Sequence, residues 1–146
     1  MVDMPSSQAD HPLGYLLHRA AMRLRADVTA SVLEPLNLAF PQYLCMRILS
    51  KSPGRSNADL ARDLSVSPQA TNMVLRALQE RGLVTRPASG PAGRARPAEL
   101  TREGRMLLTR TDEGIRAAEH RVLGRLSDTD RSALKRILAA VGAERD

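Results

Sequence analysis

The chain has 146 residues, 42% hydrophobic and 26% charged, which suits one globular domain and argues against wholesale disorder. Three aromatic residues argue against a nucleic-acid surface built on base stacking, and a single cysteine excludes an intrachain disulfide. The N-terminus is acidic where a signal peptide is basic, and no uncharged apolar run reaches the roughly 18 residues of a membrane span. We therefore expect a cytoplasmic protein with no membrane partner.

The net charge of +6 is confined to the middle of the chain. Residues 51–110 carry eleven basic and five acidic side chains, whereas residues 1–50 and 111–146 are each neutral. Twenty of the 22 basic residues are arginine, which suits paired hydrogen bonds to phosphate or guanine but also follows from genomic base composition. A basic block between neutral flanks favours a polyanionic partner, and the alternative is a solvated surface that happens to be basic.

A tail and two helices are predicted to precede the basic block. Residues 1–11 are polar and indicate a flexible tail. From Pro12 onward apolar residues recur at helical spacing until Pro35 ends the helix. Pro41 opens a second helix. Cys45 falls on the apolar face of that helix, so we expect an inert core cysteine rather than a redox switch.

Serine and proline mark two short helices inside the basic block. Ser56 is the predicted N-cap of the first helix, and a turn at residues 65–67 follows it. Ser67 as N-cap and Pro68 at the first position begin the second helix. Gly82 can adopt the left-handed conformation that closes it.

A hairpin with a basic tip is predicted after the second of these helices. Its strands are residues 83–86 and 98–100, and the segment rich in glycine and proline between them carries Arg94 and Arg96. Pro97 offers no backbone donor and so restricts the return strand. Arginines on such a tip suit the narrow minor groove of DNA, and the alternative is a loop with incidental arginines.

The predicted fold class is mainly α: a winged helix-turn-helix with a short β-hairpin wing, flanked by N- and C-terminal dimerisation helices. The DNA-binding region is placed at residues 37–100 and the dimerisation helices at 12–36 and 101–143, where Thr101 and Ser127 cap the last two helices. Apolar stripes at both ends of the chain are expected to bury one another across a two-fold axis, and the alternative is packing within a monomer.

The second helix of the basic block is the predicted recognition helix. A helix fits the major groove, and its N-terminal residues reach the base edges. One face is expected to pack inward, made of Ala70, Met73, Val74, Ala77 and Leu78. The other face carries hydrogen-bonding side chains for bases and phosphates: Gln69, Thr71, Asn72, Arg76 and Gln79. Glutamine and asparagine suit adenine edges and arginine suits guanine or phosphate, although every surface helix has a polar face.

No enzymatic chemistry is indicated by the remaining residues. The three histidines show no metal-ligand spacing, and no phosphate-binding loop or nucleophile with a base can be assembled. We therefore expect neither an enzyme nor a metal or other cofactor.

The stretch SNADLARDLSVSPQATNMVLRALQERGLVTR, followed by LTREG after the wing, resembles the MarR family of bacterial transcription regulators. The resemblance covers residues 12–143. It implies a homodimer that binds a pseudo-palindromic operator in double-stranded DNA, and a repressor that is released by a small phenolic or aromatic acid ligand.

The resemblance also implies which residues act. DNA contacts fall on Ser67, Pro68, Gln69 and Asn72, with Arg94 as the arginine of the wing tip. Two positions depart from the family: Ala92 stands where an aspartate commonly anchors that arginine, and Met73 stands where a basic residue is often found. The second departure leaves Arg76 a larger share of the contacts.

An effector pocket is implied between the dimerisation helices and the winged domain. The predicted lining residues are Tyr15, His18, Arg19, Tyr43 and Arg47, which would suit a small aromatic carboxylate. The alternative is that the tyrosines are packing residues and that the arginines pair with Asp27 or Glu34.

Two other functions compete with the sequence-specific repressor. One is a structural protein that compacts DNA without sequence preference, using the same basic block. The other is a winged helix that binds proteins and never meets DNA.

Overall fold

The computed structural model describes residues 10–86 and 97–143, which form six α-helices and one antiparallel pair of short strands. In chain order these are α1 (Leu13–Val28, continued by a π-helical turn at Thr29–Leu33), α2 (Phe40–Lys51), α3 (Asn57–Leu64), α4 (Pro68–Glu80), β1 (Val84–Thr85), β2 (Glu99–Leu100), α5 (Arg102–Val122) and α6 (Asp128–Gly142). This order confirms the mainly α winged helix-turn-helix.

Side-chain caps fix where four of the helices begin. In each, the cap hydroxyl accepts a hydrogen bond from the backbone N–H three residues further on, as predicted for Ser56, Ser67, Thr101 and Ser127. Gly82 has a φ of 73°, so it does close α4 in the left-handed region. The local sequence therefore sets the helix boundaries of the winged unit.

The core lies mainly between α2, α3, α4 and the strands. Its buried side chains there are Cys45, Met46, Leu49, Leu60, Leu64, Leu75, Leu78, Leu83 and Val84. Burial raises the pKa of the Cys45 thiol to about 11, which confirms an unreactive core cysteine. The end of α1 joins this core by crossing α5 at Gly114, where an added Cβ would lie 2.8 Å from Val32 Cγ1.

The wing begins as an antiparallel pair in which Val84 faces Leu100 and Thr85 faces Glu99. The observed strands are shorter than predicted, two residues each. Ala92 and the arginines of the predicted tip, Arg94 and Arg96, lie outside the described residues.

The two ends of the described chain leave apolar side chains exposed. α6 contains no buried residue, and Val141 is 75% exposed. On α1, Leu13 is 74% exposed and only Val28 is buried. No helix in the described ranges is long and apolar enough to cross a membrane.

Candidate nucleic-acid interface

The exposed face of α4 carries the side chains that can meet DNA. Gln69, Asn72, Met73 and Arg76 are all exposed, and their spacing of three, four and seven residues places them on one face of the helix. Ser67 and Pro68 are exposed at its N-terminus. The structure therefore brings five of the predicted DNA-binding residues to one end and one face of α4.

Two predictions for α4 were wrong. Thr71 is fully buried and its hydroxyl donates to the Ser67 carbonyl over 3.0 Å, so it cannot contact DNA. Met73 was expected to pack inward, but it is 73% exposed. The fully buried residues of α4 are Thr71, Leu75 and Leu78. Of the face that was expected to pack inward, Leu78 is buried and Ala70, Val74 and Ala77 are half-buried, so Met73 is the one member that the structure turns outward.

Asn72 is tied to two other elements by its side chain. Its Oδ1 accepts from Arg86 Nη2 over 3.0 Å and from Asn57 Nδ2 over 3.2 Å. Arg86 directly follows β1 and Asn57 begins α3. These bonds hold the exposed amide of the recognition helix in one orientation relative to the wing and to α3. Neither contact could be predicted from the sequence.

The C-terminal end of α4 is fastened to the segment between α1 and α2. Arg81 donates from Nη1 to the Asn37 carbonyl over 2.6 Å and from Nη2 to the Leu36 carbonyl over 3.2 Å. Asn37 has a φ of 54°, so its carbonyl is presented by a left-handed residue. This contact fixes the position of the recognition helix relative to the end of α1.

Two acidic side chains of α3 are already paired with arginines, whereas Glu80 at the end of α4 is exposed and has no basic partner in the part of the chain that is described. Asp63 accepts two bonds of 2.9 Å from Arg55, and Asp59 pairs with Arg62. Hydrogen bonds from Ser56 and Arg62 lower the pKa of Asp59, so it is ionised at neutral pH. Arg76 has no acidic partner in the part of the chain that is described. Arg76 is therefore the cation that this face of α4 offers to an anion.

A second site is a cleft of about 500 Å³ between α1, α2, α5 and α6. Its lining combines apolar and charged side chains: Leu24, Tyr43, Arg47, Asp112, Ile115, Arg116, Glu119, Leu123, Arg131, Leu134, Lys135 and Leu138. Arg47 Nη1 donates to Asp112 Oδ2 over 2.9 Å. Burial raises the pKa of the Tyr43 hydroxyl, so it stays protonated and can donate a hydrogen bond.

Two of the five residues predicted to bind an effector line this cleft. Tyr43 and Arg47 line it, whereas Tyr15, His18 and Arg19 are exposed on the first half of α1 and do not line it within one subunit. The reason is distance along the helix: Arg19 lies five residues before Leu24, or about 7.5 Å. In the alternative interpretation Arg47 would pair with Asp27 or Glu34, but it pairs with Asp112 instead.

Three cations of the cleft were missed by the sequence analysis. Arg116 lies on α5, and Arg131 and Lys135 lie on α6. The buried Nε of Arg131 has no acceptor among the described residues. The available signal was weak: cations that flank apolar positions on the two C-terminal helices. No group of side chains able to hold a metal ion occurs within residues 10–86 and 97–143.

A short helix pair with an exposed polar second helix, followed by a two-stranded wing, defines a winged helix-turn-helix protein. The sequence profile of the MarR family matches residues 38–90. The HTH-type transcriptional repressor Rv2887 of Mycobacterium tuberculosis is 50% identical over 135 residues, which is 92% of this chain and 96% of that relative. The chain therefore belongs to the MarR family and is a transcriptional regulator.

Two solved structures of Rv2887 show the same fold as this chain. The complex with salicylic acid has a TM-score of 0.77 at 50% identity and covers 91% of this chain and 98% of that one. The complex with DNA has a TM-score of 0.77 at 46% identity and covers 92% and 100%. Both likenesses extend beyond the matched profile to the terminal helices.

Proposed function

We propose that this protein is a dimeric repressor that binds a pseudo-palindromic operator through α4 and releases it when a small aromatic carboxylate binds in the cleft. The exposed face of α4 carries the proposal, because four side chains suited to the major groove lie together beside a region of unbalanced positive charge. It acts as a binding protein and not as an enzyme, in the cytoplasm where bacterial operator DNA lies.

DNA contact is proposed for Ser67, Pro68, Gln69, Asn72 and Arg76, with Arg94 and Arg96 added from the wing. The relative Rv2887 has been solved in complex with DNA, which supports DNA binding by this fold. Dimerisation is proposed through residues 12–36 and 101–143, since the exposed apolar faces of α1 and α6 need a partner. Two recognition helices about 34 Å apart then meet successive major grooves.

The cleft is proposed as the effector site because its apolar side chains lie beside four cations, which outnumber the two carboxylates of Asp112 and Glu119. Arg47, Arg116, Arg131 and Lys135 offer donors to a carboxylate, and Tyr43 offers an aromatic ring and a hydroxyl. The relative that has been solved with salicylic acid supports this ligand class.

A competition experiment tests the DNA-binding part. Labelled duplex from the protein's own promoter region is bound at about 0.15 M salt and challenged with sheared genomic DNA. A repressor should prefer the promoter by about a thousandfold or more. Equal competition would instead support the DNA-compacting protein, for which the basic block is the favouring observation.

Two substitutions complete this test. Arg76→Ala and Arg94→Ala should each weaken binding to all sequences and lower the salt slope by about one. Unchanged DNA retention in both variants would support a winged helix that binds proteins. Salicylate should raise the melting temperature of the protein and release the promoter duplex.

A further inference from the structure

The amide of Asn72 can act toward DNA only as a donor. A guanidinium can donate hydrogen bonds but cannot accept them. The Asn72 atom that lies 3.0 Å from Arg86 Nη2 must therefore be the oxygen. Asn57 adds a second donor to the same oxygen over 3.2 Å. Both lone pairs of Asn72 Oδ1 are therefore engaged within the protein.

The other end of the same amide is free. Asn72 Nδ2 donates to no acceptor in the part of the chain that is described, and the side chain is exposed on the recognition face. Bidentate binding of adenine requires an asparagine to donate to N7 and accept from the N6 amino group. Asn72 cannot make that pair with adenine while its oxygen accepts from Arg86 and Asn57. The adenine contact expected from the sequence is therefore not the contact that this geometry favours.

Met73 places an apolar group beside this donor. It is 73% exposed and is the one apolar side chain among the four exposed residues of the recognition face. A single exposed methionine has no meaning by itself. It becomes informative because the neighbouring Asn72 offers a donor. Thymine is the base that presents an acceptor, O4, next to a methyl group in the major groove, so a donor next to an apolar side chain matches it.

We propose that Asn72 and Met73 together read thymine in the operator, with Asn72 donating to O4 and Met73 packing on the C5 methyl group. Arg86 and Asn57 act as positioning residues that keep the amide in its donor orientation. This inference rests on the proposed binding of operator DNA and adds the base that this part of α4 selects.

A series of four bases at one position separates the two contacts. A duplex is first selected from a random pool by the wild-type protein, and each thymine in a half-site is replaced by uracil, 5-methylcytosine and cytosine with the matching partner base. Uracil keeps the acceptor and loses the methyl group, while 5-methylcytosine keeps the methyl group and turns the acceptor into a donor. Dissociation constants are read by fluorescence anisotropy.

The wild-type protein should lose about fourfold in affinity at a contacted thymine when it becomes uracil, the value of one buried methyl-sized group. In Met73→Ala the loss should vanish. The matched control is Met106→Ala, because Met106 is another exposed methionine (60%) but lies on α5, and it should keep the fourfold loss. Replacement by 5-methylcytosine should cost the wild type about fivefold or more, since two donors then face each other.

The positioning residues are tested by exchanging the thymine for adenine. In Arg86→Met the amide of Asn72 can turn and accept from adenine, because Asn57 is itself an amide and can turn to accept from Asn72 Nδ2. The preference for thymine should therefore fall to about twofold or less. Arg86→Lys keeps a donor and should keep the preference. Circular dichroism and the melting temperature establish that each variant is folded, and the base series on the wild-type protein tests the proposal even where Arg86→Met does not fold.

Failure of this inference differs from failure of the proposed function. If the wild-type protein selects no sequence from the pool, sequence-specific repression is wrong. If it selects one but Met73→Ala discriminates thymine from uracil as the wild type does, the thymine contact is overturned and the repressor stands.

Discussion

The helices α4 and α6 are built alike but differ in what covers them. They have 13 and 15 residues, and each begins at a serine whose hydroxyl accepts the N–H three residues on. α4 buries Thr71, Leu75 and Leu78, whereas α6 buries none of its residues in the chain described. Its large apolar side chains, Ile137, Leu138 and Val141, are 44–75% exposed.

The difference separates two sources of stability in one chain. The winged unit is packed within one subunit, where the end of α1 and Leu108 of α5 complete its core, so α4 can present a polar face at a fixed orientation. An apolar stripe on a capped helix favours burial, and for α6 we propose that a second copy of the chain supplies it. The orientation of the recognition helix is therefore determined within one subunit. In the proposed dimer, the distance between the two recognition helices along DNA is determined by the contact between subunits.

Charging the stripe of α6 should have the largest effect. In the double variant Ile137→Asp/Val141→Asp, neither residue lines the cleft, so the subunit fold should survive while dimers dissociate. Operator affinity should fall about a hundredfold or more, because the second half-site no longer binds intramolecularly. Sedimentation equilibrium measures the mass and fluorescence anisotropy measures the affinity.

Ser132→Glu is the matched control for that variant. Ser132 is exposed on the side of α6 opposite the stripe, so the same kind of charge should leave both the mass and the DNA affinity unchanged. A double variant that still sediments as a dimer would break the comparison, since α6 would then need no partner.

Ligand binding should respond to the ion pair between α2 and α5. A carboxylate that enters the cleft competes with Asp112 for Arg47, so Arg47→Gln should weaken salicylate binding about tenfold and Asp112→Asn should strengthen it. Isothermal titration calorimetry measures both. Arg19→Gln should change nothing, because Arg19 does not line the cleft. If Arg19→Gln weakened salicylate binding and Arg47→Gln did not, the ligand would bind at the first half of α1 and not in the cleft.

Much of the winged unit could be predicted from the sequence, because its signals are local. A serine before a helix, Pro68 at a first turn and Gly82 after a last one act over three or four residues. The burial of single positions on α4 is different: Thr71 is buried and Met73 is exposed, against prediction, because the contacts of α4 with α2 and α3 decide which positions are covered. Which of these two side chains of α4 is exposed to solvent is known only from the structure.

The cleft and the donor orientation of Asn72 could not be predicted for the same reason. Arg47 and Asp112 are 65 residues apart, and Asn72 and Arg86 are 14 apart on different elements. Such pairs depend on how helices cross, which hydropathy does not encode. Tyr43 and Arg47, which the resemblance to the family implied for an effector pocket, line the cleft, but the resemblance carried no information on Arg116, Arg131 or Lys135.

Removing the N-cap hydroxyls of α4 and α6 should have moderate effects, on the free energy of unfolding in the first case and on dimer dissociation in the second. Ser67→Ala should destabilise the winged unit by about 1 kcal/mol, measured by urea unfolding at any protein concentration. Ser127→Ala weakens a helix that is covered only in the dimer, so the dimer dissociation constant should rise about fivefold or more. A melting temperature that depends more steeply on protein concentration in Ser127→Ala alone would bear this out. Identical behaviour of both variants would contradict it.

The smallest effect is expected at the ion pair that ties α1 to α5. Arg121 donates to Asp27 Oδ1 over 2.8 Å and, with Ser31, lowers the pKa of that carboxyl from 3.8. Since the folded pKa lies below the unfolded one, ionised Asp27 stabilises the fold at neutral pH. This contribution starts to fall as the pH drops to about 3.8 and is lost below the folded pKa.

Asp27→Asn should therefore lower the melting temperature slightly at pH 7, and the difference from wild type should disappear in acid below the folded pKa. The pair is exposed, so salt should reduce the difference as well. Arg121→Gln should give the same small loss, and the double variant should lose no more than either single one. Additive losses would mean that α1 is not held to its own subunit by this pair, and that its burial, like that of α6, comes from the partner.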